Sequence, residues 1–355
     1  MRELRVHRVL ERLFEEQVVF RTVKGEPIEG SIFIGETEFF PVEILRDDAD
    51  AYKAEGDKWL NDTWLPALEE RRGSLLQIYG NAKRYIDLYH SIERRQVIPL
   101  IGSGMSVASG CPTWSDLLRK IRTFTKVNKD SLEKLLRIGA FEEAADLLAS
   151  GTNPNLLNER VEHDLRVDDP KQISGAVRII PALFPNLAIT TNLDDVLEQF
   201  FLLCEMPFAQ VLAGVDISRY RHLKNLNERF LLKLHGDCRH PETRVLLSSE
   251  YNDAYGVGRV NREELSLLYR SNNILFVGCS LGSDRTVELF YEIMKGDRNS
   301  PKHYAFLKVP DPDEYRVERE NFLSERGIYP IWYDQDHDTS LLLLLSGLLP
   351  AVGVI

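Results

Sequence analysis

The stretch that decides the fold is Val97–Leu118, VIPLIGSGMSVASGCPTWSDLL. Its apolar start, Val97–Ile101, is typical of a buried strand and leads directly into a loop of small residues. Thr113 and Asp116 then have the spacing of a capping box, which predicts a helix start just after Pro112. A strand, a loop without bulk and a helix N-terminus together favour phosphate, because small residues admit the ligand and free N–H groups attract negative charge.

The loop departs from the two common phosphate-binding fingerprints. A G-x-G-x-x-G motif beginning at Gly102 would need glycine where Val107 stands, and a P-loop would need a Gly-Lys-Ser/Thr ending. By itself the loop therefore predicts either a nucleotide site or a tight strand-to-helix turn in an ordinary α/β domain.

Composition limits the class of protein. The chain has 355 residues, is 43% hydrophobic and carries a net charge of −11. This acidic balance argues against a sequence-independent nucleic-acid surface, although it leaves room for a local basic patch, and we expect no direct sequence-specific nucleic-acid binding. The four cysteines are widely spaced without a C-x-x-C pair, which favours a reducing compartment over a zinc ribbon or a disulfide scaffold. The longest apolar stretch, Leu341–Ile355, is too short to span a bilayer, so we expect a cytoplasmic protein without membrane contact.

Two regions differ in pattern. Residues 18–44 hold alternating runs broken by glycines, which predict two or three short strands, and residues 64–94 have helical spacing. We therefore predict an N-terminal α+β region over residues 1–90 and a second region over residues 91–355. The C-terminal stretch is expected to form a docking helix and tail.

From Gln96 onward, apolar strands alternate with amphipathic helices. This alternation predicts a Rossmann-like α/β fold, a parallel sheet of about six strands with helices on both faces. Ligands of such sheets lie beyond the carboxyl ends of the strands. The predicted strands are Val97–Ile101, Leu187–Thr191, Phe230–Leu234, Ile274–Cys279, Tyr304–Val309 and Ile328–Tyr333.

Small or polar residues follow four of these strands. Besides the first loop, the sequences TNLDD (191–195), HGDC (235–238) and SLGSD (280–284) come at or just after the second, third and fourth strand ends. Because the carboxyl ends of parallel strands meet at one edge, we expect these groups to face one ligand. The agreement of four strand ends favours a dinucleotide more strongly than any single motif does.

These motifs carry a resemblance. GSGMSVASGCPTW, TTNLD, KLHGD and VGCS stand in the order and rough spacing of the sirtuin superfamily, over roughly residues 95–310. The chain looks most like the bacterial sirtuin-like NAD hydrolases of anti-phage defence, a group that includes the type paired with a HerA-type ring ATPase. The resemblance implies that NAD is the substrate.

Two departures from the family's deacylases support the resemblance to the NAD hydrolases. Deacylases carry a zinc module with two cysteine pairs after the His-Gly, whereas here Val245–Leu247 begins about ten residues after Gly236 and only Cys238 lies between. An aromatic-Arg pair of the deacylases is also replaced, by Thr113-Trp114-Ser115. We expect no zinc or other metal, and no cofactor beyond NAD as substrate.

Asn192 and His235 are the predicted catalytic residues. The Asn192 amide can donate to and accept from ribose hydroxyls or an attacking water. The alternative is a turn asparagine at a strand end. His235 could accept a proton from a ribose hydroxyl or water near neutral pH. The alternative is a hydrogen-bonded structural histidine.

Other residues are assigned to NAD binding. By resemblance, Asp194 would contact the nicotinamide carboxamide, although Asp194 or Asp195 could instead cap the following helix. Ser280 suits a phosphate or ribose contact, and Asp284 suits either ribose binding or a helix cap. The full predicted set is Gly102, Ser103, Gly104, Ser106, Pro112, Trp114, Thr191, Asp194, Gly278, Ser280 and Asp284.

The leading hypothesis is hydrolysis of NAD+ to nicotinamide and ADP-ribose. The alternatives are protein ADP-ribosylation or deacylation, and a non-catalytic module that senses NAD or ADP-ribose. Because uncontrolled NAD hydrolysis would kill its host, the resemblance implies an effector held inactive until triggered. Residues 1–90 and the C-terminal stretch lie outside the resemblance. We predict that they build a homo-oligomer or a surface for a partner such as the HerA-type ATPase.

Overall fold

The computed structural model describes residues 3–226, 228–282, 285–295 and 301–353. Residues 18–44, predicted to hold two or three short strands, form four strands in two separate antiparallel hairpins, Phe20–Arg21 with Pro27–Ile28 and Ile32–Ile34 with Thr37–Phe39. The predicted helical span breaks in two at Tyr79 and Gly80, which both have positive φ. The N-terminal elements are α1 (Glu3–Glu15), β1 (Phe20–Arg21), β2 (Pro27–Ile28), β3 (Ile32–Ile34), β4 (Thr37–Phe39), α2 (Pro41–Arg46), α3 (Ala49–Lys58), α4 (Leu65–Leu76) and α5 (Asn81–Glu93).

Strands and helices alternate over most of the remaining chain. These elements are β5 (Val97–Ile101), α6 (Trp114–Arg122), α7 (Lys129–Arg137), α8 (Phe141–Ser150), α9 (Pro154–Leu165), α10 (Ile180–Leu183), β6 (Leu187–Thr190), α11 (Val196–Leu203), β7 (Gln210–Ala213), α12 (Tyr220–Leu223), β8 (Phe230–Lys233), α13 (Ser248–Tyr255), α14 (Val260–Ser271), β9 (Asn273–Val277), α15 (Arg285–Met294), β10 (His303–Lys308), α16 (Tyr315–Ser324), β11 (Ile328–Tyr333) and α17 (His337–Ser346).

Seven of the described strands form one parallel sheet, in the order β11-β10-β9-β5-β6-β8-β7. The predicted α/β fold is confirmed, but the expected number of about six strands missed β7. That strand has four residues at the sheet edge, and two of them are not buried, so it lacks the apolar run of an inner strand. After β8 the chain crosses back to form β9 on the other side of β5. This crossing places a topological switch point between β5 and β9.

Helices cover both faces of the sheet. On one face, Leu88 of α5 and Leu344 of α17 share a core with Ile331 of β11. On the other face, Tyr269 of α14 and Phe290 of α15 pack with residues of β9. The C-terminal helix therefore docks on the core, and α5 belongs to the same core although it lies within residues 1–90. The division of the chain at residue 90 stays a prediction.

The helices were also searched for membrane spans. No helix in the described ranges combines the length and the apolar character needed to cross a bilayer.

Candidate functional site

A cavity of about 700 Å³ lies along the carboxyl ends of the strands. Its volume is within the range of ligand and cofactor sites, and its position is where open α/β sheets bind ligands. Residues from the ends of six strands line it: Gly102 after β5, Thr191 after β6, His235 after β8, Gly278 after β9, Lys308 at the end of β10 and Tyr333 at the end of β11.

The first loop connects β5 to α6 through two short 3₁₀ turns, Ser103–Met105 and Val107–Ser109. The predicted cap is confirmed, because the Thr113 hydroxyl accepts a hydrogen bond from the Asp116 N–H and α6 begins at Trp114. The loop and helix start predicted for a phosphate are thus both present at the cavity.

The glycines of the first loop have a second role, because the loop packs against the turn after β9. A Cβ on Gly102 would lie 2.5 Å from the Gly278 carbonyl oxygen, and one on Gly104 would lie 2.8 Å from it. Gly278 has φ +70, and its own Cβ would lie 2.6 Å from the Met105 nitrogen. Small residues therefore let two loops approach each other, whereas the sequence argument assigned their small size to ligand access alone.

The predicted site residues fall into two layers. Ser106, Asn192 and Asp194 are buried behind the cavity wall, and Pro112 precedes the cap without lining the cavity. Asp284 lies outside the described residues. The predicted residues that line the cavity are Gly102, Ser103, Gly104, Trp114, Thr191, His235, Gly278 and Ser280.

The buried layer is hydrogen-bonded internally. The Asn192 side-chain nitrogen donates to the Ser106 hydroxyl at 3.0 Å, and Ser106 is in turn hydrogen-bonded to the Asp194 carboxylate. The Asn192 amide oxygen is buried and has no hydrogen-bond partner among the described residues. A buried acceptor left in this state costs about 1–3 kcal/mol, so a ligand that supplies a donor would be favoured here.

The two aspartates that follow Asn192 hold the local backbone. Asp194 accepts from the N–H of Val196, the first residue of α11, at 3.2 Å, while Asp195 is the N-cap residue and accepts from the Val167 N–H at 2.9 Å. Burial raises the pKa of Asp194 to about 6, although Lys233 and Ser106 act in the opposite direction. Asp195 stands at the cap position without a side-chain cap hydrogen bond, and contact of Asp194 with nicotinamide stays a prediction.

Lys233, the last residue of β8, joins two of the strand-end loops. It is fully buried, and its ammonium group lies 2.8 Å from Asp237, 2.6 Å from Glu198 and 2.8 Å from the Asp194 carbonyl oxygen. A buried charge needs such partners, since isolation would cost several kcal/mol. Lys233 thereby fixes the turn after β8 to the loop after β6.

His235 stands between two aromatic rings at the end of β8. Its ring centroid lies 5.5 Å from that of Trp114 and 6.5 Å from that of Tyr251. Burial lowers the pKa of His235 to about 4, so the imidazole is neutral at physiological pH. A neutral imidazole that lines a cavity can accept a proton from a bound group.

The chain after His235 turns back tightly. Gly236 has φ +86, and a Cβ there would lie 2.4 Å from the Thr243 carbonyl oxygen. The Val245 N–H then donates to the His235 carbonyl oxygen at 2.9 Å. This compact turn brings Val245 and Leu246 to the cavity wall.

Sequence reasoning missed several cavity residues. Phe141 and Glu142 line the cavity because residues 132–149, whose helical spacing predicts one helix, are divided into α7 and α8 near Gly139, which has φ +74. That glycine between two amphipathic segments was an available signal. Tyr333, His337 and Arg319 also line the cavity, but no local pattern marks them.

Residues 186–331 match the family model described as SIR2-like domain. The match supports placement in the sirtuin-like superfamily, and a SIR2-like domain is compatible with NAD-dependent activity. The SIR2-like segment includes Asn192, His235 and Ser280, whereas the first loop, Tyr333 and His337 lie outside it. No curated protein matches the chain. Within the described ranges, no group of three or more His, Cys, Asp or Glu residues is arranged to hold a metal.

Proposed function

We propose that this protein hydrolyses the nicotinamide–ribose bond of NAD+ and releases nicotinamide and ADP-ribose. One observation carries the proposal: in a SIR2-like domain, His235 lines the same strand-end cavity as the first loop, and the buried Asn192 follows the cavity residue Thr191 in the chain. The neutral imidazole of His235 and the Asn192 amide oxygen, to which no described residue donates, are groups suited to a ribose and a water.

The dimensions of the cavity suit a dinucleotide. His235 follows β8 and Lys308 ends β10, and four strand spacings separate these two strands in the sheet. At about 4.8 Å per spacing, the edge between them is about 19 Å long. The nicotinamide end is assigned to His235 and the adenosine end to the region of Lys308, with the diphosphate between them at the first loop.

The chemistry needs little acid catalysis, because the leaving group is a cationic ring that departs as neutral nicotinamide. The bond between ribose C1′ and the ring nitrogen breaks, and its electron pair stays with nicotinamide. Water then bonds to the oxocarbenium-like C1′ and gives its proton to His235, which passes it to solvent. The pKa of about 4 keeps His235 in the accepting form at neutral pH.

Asn192 is assigned to holding the ribose or the water. Ser106 accepts from its side-chain nitrogen, so the amide oxygen has a defined direction. A ribose hydroxyl or the attacking water would supply the missing donor, and since the amide oxygen is buried, the wall in front of Asn192 must open for that contact. Such positioning favours catalysis because the reacting groups are held in place before the bond breaks.

The turn after His235 favours hydrolysis over deacylation. In the deacylases, the module at this place helps to form a groove for a peptide, and here the Thr243 carbonyl packs directly on Gly236. Water is then the nucleophile that reaches C1′.

The test is an assay of the full chain with NAD+, in which nicotinamide and ADP-ribose are separated by chromatography. We expect product with the wild type and loss of product with His235→Ala and Asn192→Ala. Tight binding of NAD+ without product under all conditions would support a sensing module instead. Mass spectrometry that finds an ADP-ribosylated or deacylated protein would support transfer or deacylation.

We further propose that the activity serves anti-phage defence and is controlled by self-association or by a ring ATPase partner. Phe33 and Ile34 of β3 are 67% and 65% exposed, which provides an apolar surface in the N-terminal region. Light scattering of the chain at micromolar concentration, alone and with the ATPase, tests this. A monomer in both cases would contradict it.

A further inference from the structure

We infer that Tyr333 and His337 are positioning residues that hold the first loop in the shape that binds the substrate. The inference rests on the proposed NAD+ hydrolysis at this cavity. Both residues line the cavity together with Gly104. Tyr333 is the last residue of β11 and His337 is the first residue of α17, so both lie beyond the SIR2-like segment.

The hydrogen bonds between them have one direction. His337 Nε2 lies 3.2 Å from the Gly104 carbonyl oxygen, and His337 Nδ1 lies 2.5 Å from the Tyr333 hydroxyl oxygen. A carbonyl oxygen can only accept, so Nε2 carries the proton. In the neutral ring Nδ1 is then the acceptor, and the Tyr333 hydroxyl donates to it. The chain of bonds therefore runs from Tyr333 through His337 to Gly104.

Both backbone polar groups of Gly104, its N–H and its carbonyl oxygen, are hydrogen-bonded. Its N–H donates to the Gly278 carbonyl oxygen at 2.9 Å, and its carbonyl oxygen accepts from His337. A Cβ on Gly104 would lie 2.8 Å from His337 Nε2, so only glycine allows this approach. With both groups bonded, the peptide units on either side of Gly104 keep a fixed direction toward the cavity. Such preorganisation lowers the cost of binding a substrate.

The helix that carries His337 is anchored at its start and along its length. Asp336 accepts from the Thr339 N–H at 3.0 Å, and Asp338 accepts from the Ala176 N–H at 2.9 Å. Farther along, the Tyr85 hydroxyl of α5 donates to the Leu344 carbonyl oxygen at 2.7 Å. The first loop is thus held by an element that is itself fixed to two other parts of the fold.

Steady-state kinetics with NAD+ test the inference. His337→Ala removes the donor to Gly104, and we expect KM to rise about tenfold while kcat changes less than about threefold. Tyr333→Phe keeps the ring and removes the donor to His337, so a rise of about threefold is expected. His337→Gln keeps a side-chain donor within reach of Gly104 and should recover part of the loss.

Tyr329→Phe is the matched control, since it removes a phenol from the same strand at a residue that does not line the cavity. It should leave KM unchanged. The inference is overturned if the wild type is active and His337→Ala has an unchanged KM. It is also overturned if KM rises equally in His337→Ala and His337→Gln. If the wild type binds NAD+ without hydrolysing it, only the hydrolysis fails, and the same order of effects is then expected in Kd from calorimetry. A wild type that does not bind NAD+ overturns both.

Discussion

The amino ends and the carboxyl ends of the strands form two opposite borders of the central sheet, called here its amino edge and its carboxyl edge. Both borders hold a buried histidine and a buried asparagine, but these side chains have different roles at the two borders. At the amino edge, His303 Nδ1 accepts from the Ile274 N–H at 3.0 Å, and Asn273 donates to the Lys302 carbonyl oxygen at 2.7 Å. These bonds tie β9 to β10. At the carboxyl edge, His235 lines the cavity, and Asn192 has an amide oxygen without a partner in the described ranges.

The difference shows that a shifted pKa alone does not identify a functional residue. Burial lowers the pKa of His235 to about 4 and that of His303 to about 3. The cause and the direction are the same for both. What separates them is the surroundings, because one histidine faces a cavity at the strand ends and the other holds a neighbouring strand.

The largest expected effect is that of His235→Ala. We expect the rate of ADP-ribose formation to fall by about 10²–10⁴, the usual contribution of a general base, because water gives its proton to His235 after nicotinamide has left. His303→Ala should instead keep the activity and lower the free energy of unfolding by about 1–3 kcal/mol, because the Ile274 N–H loses its acceptor. Product chromatography and urea denaturation measure the two quantities. If His303→Ala folds and is as inactive as His235→Ala, the distinction between a structural histidine at the amino edge and a catalytic one at the carboxyl edge is wrong.

The two asparagines form a second pair. Asn192→Ala should lower kcat/KM by about tenfold to a hundredfold, as expected for loss of a hydrogen bond that holds the ribose or the water. Asn273→Ala should lower stability and leave kcat/KM unchanged, since its bond only joins strands. Kinetics together with thermal melts of both variants measure this. Equal kinetic losses in the two variants would contradict the assignment of Asn192.

Two glycines with positive φ allow the backbone of the carboxyl edge to be compared with that of the amino edge. Gly278 has φ +70 and a Cβ there would meet the Met105 nitrogen at 2.6 Å, whereas Gly327 has φ +73 and its Cβ would meet only His303 at 3.8 Å. We expect Gly327→Ala to cost about 1–2 kcal/mol of stability through left-handed strain alone.

Gly278→Ala should cost more than Gly327→Ala and should also raise KM, because the added carbon pushes the first loop away. Denaturant titrations and kinetics on the same preparations measure this. An unchanged KM in Gly278→Ala would show that the contact between the two loops does not shape the site.

A further expected effect on stability is the pH dependence that comes from Asp194. Its pKa is raised to about 6 in the folded chain, so its stabilising contribution is complete below about pH 4 and is lost as the pH rises through about 6. The difference in unfolding free energy between the wild type and Asp194→Asn should therefore decrease over this range. Denaturation series at several pH values measure it, and the histidines cancel in the difference. A difference that is constant with pH would show that the pKa of Asp194 is the same in the folded and the unfolded chain.

Much of the fold could be predicted from local pattern. The inner strands are continuous apolar runs, and small or polar residues follow them, so both the sheet and its carboxyl edge were predicted. β7 was not, because a short edge strand that is half exposed lacks this pattern. The division of α7 from α8 and of α4 from α5 was missed as well, since helical spacing continues across the glycine at each break.

The sequence predicted which loops form the candidate site, but it did not predict how their residues are placed around the cavity. Eight of the predicted residues line one cavity, but the order of the layers was unknown until Asn192 and Asp194 were placed behind the wall. Their contact with NAD stays a prediction. Asp194 illustrates the limit, because a residue after a strand can cap a helix or contact a ligand with the same local sequence.

By itself the sequence determined which segments form strands, which loops lack bulk, and that polar groups would gather at one edge of a parallel sheet. Only the tertiary structure decided that Gly102 and Gly104 pack on Gly278, and that His337 reaches Gly104 from 233 positions away. Hydrophobic period and turn residues act over a few positions of the chain. Contacts between distant residues follow from how strands are ordered and how helices pack, and no local pattern encodes that order.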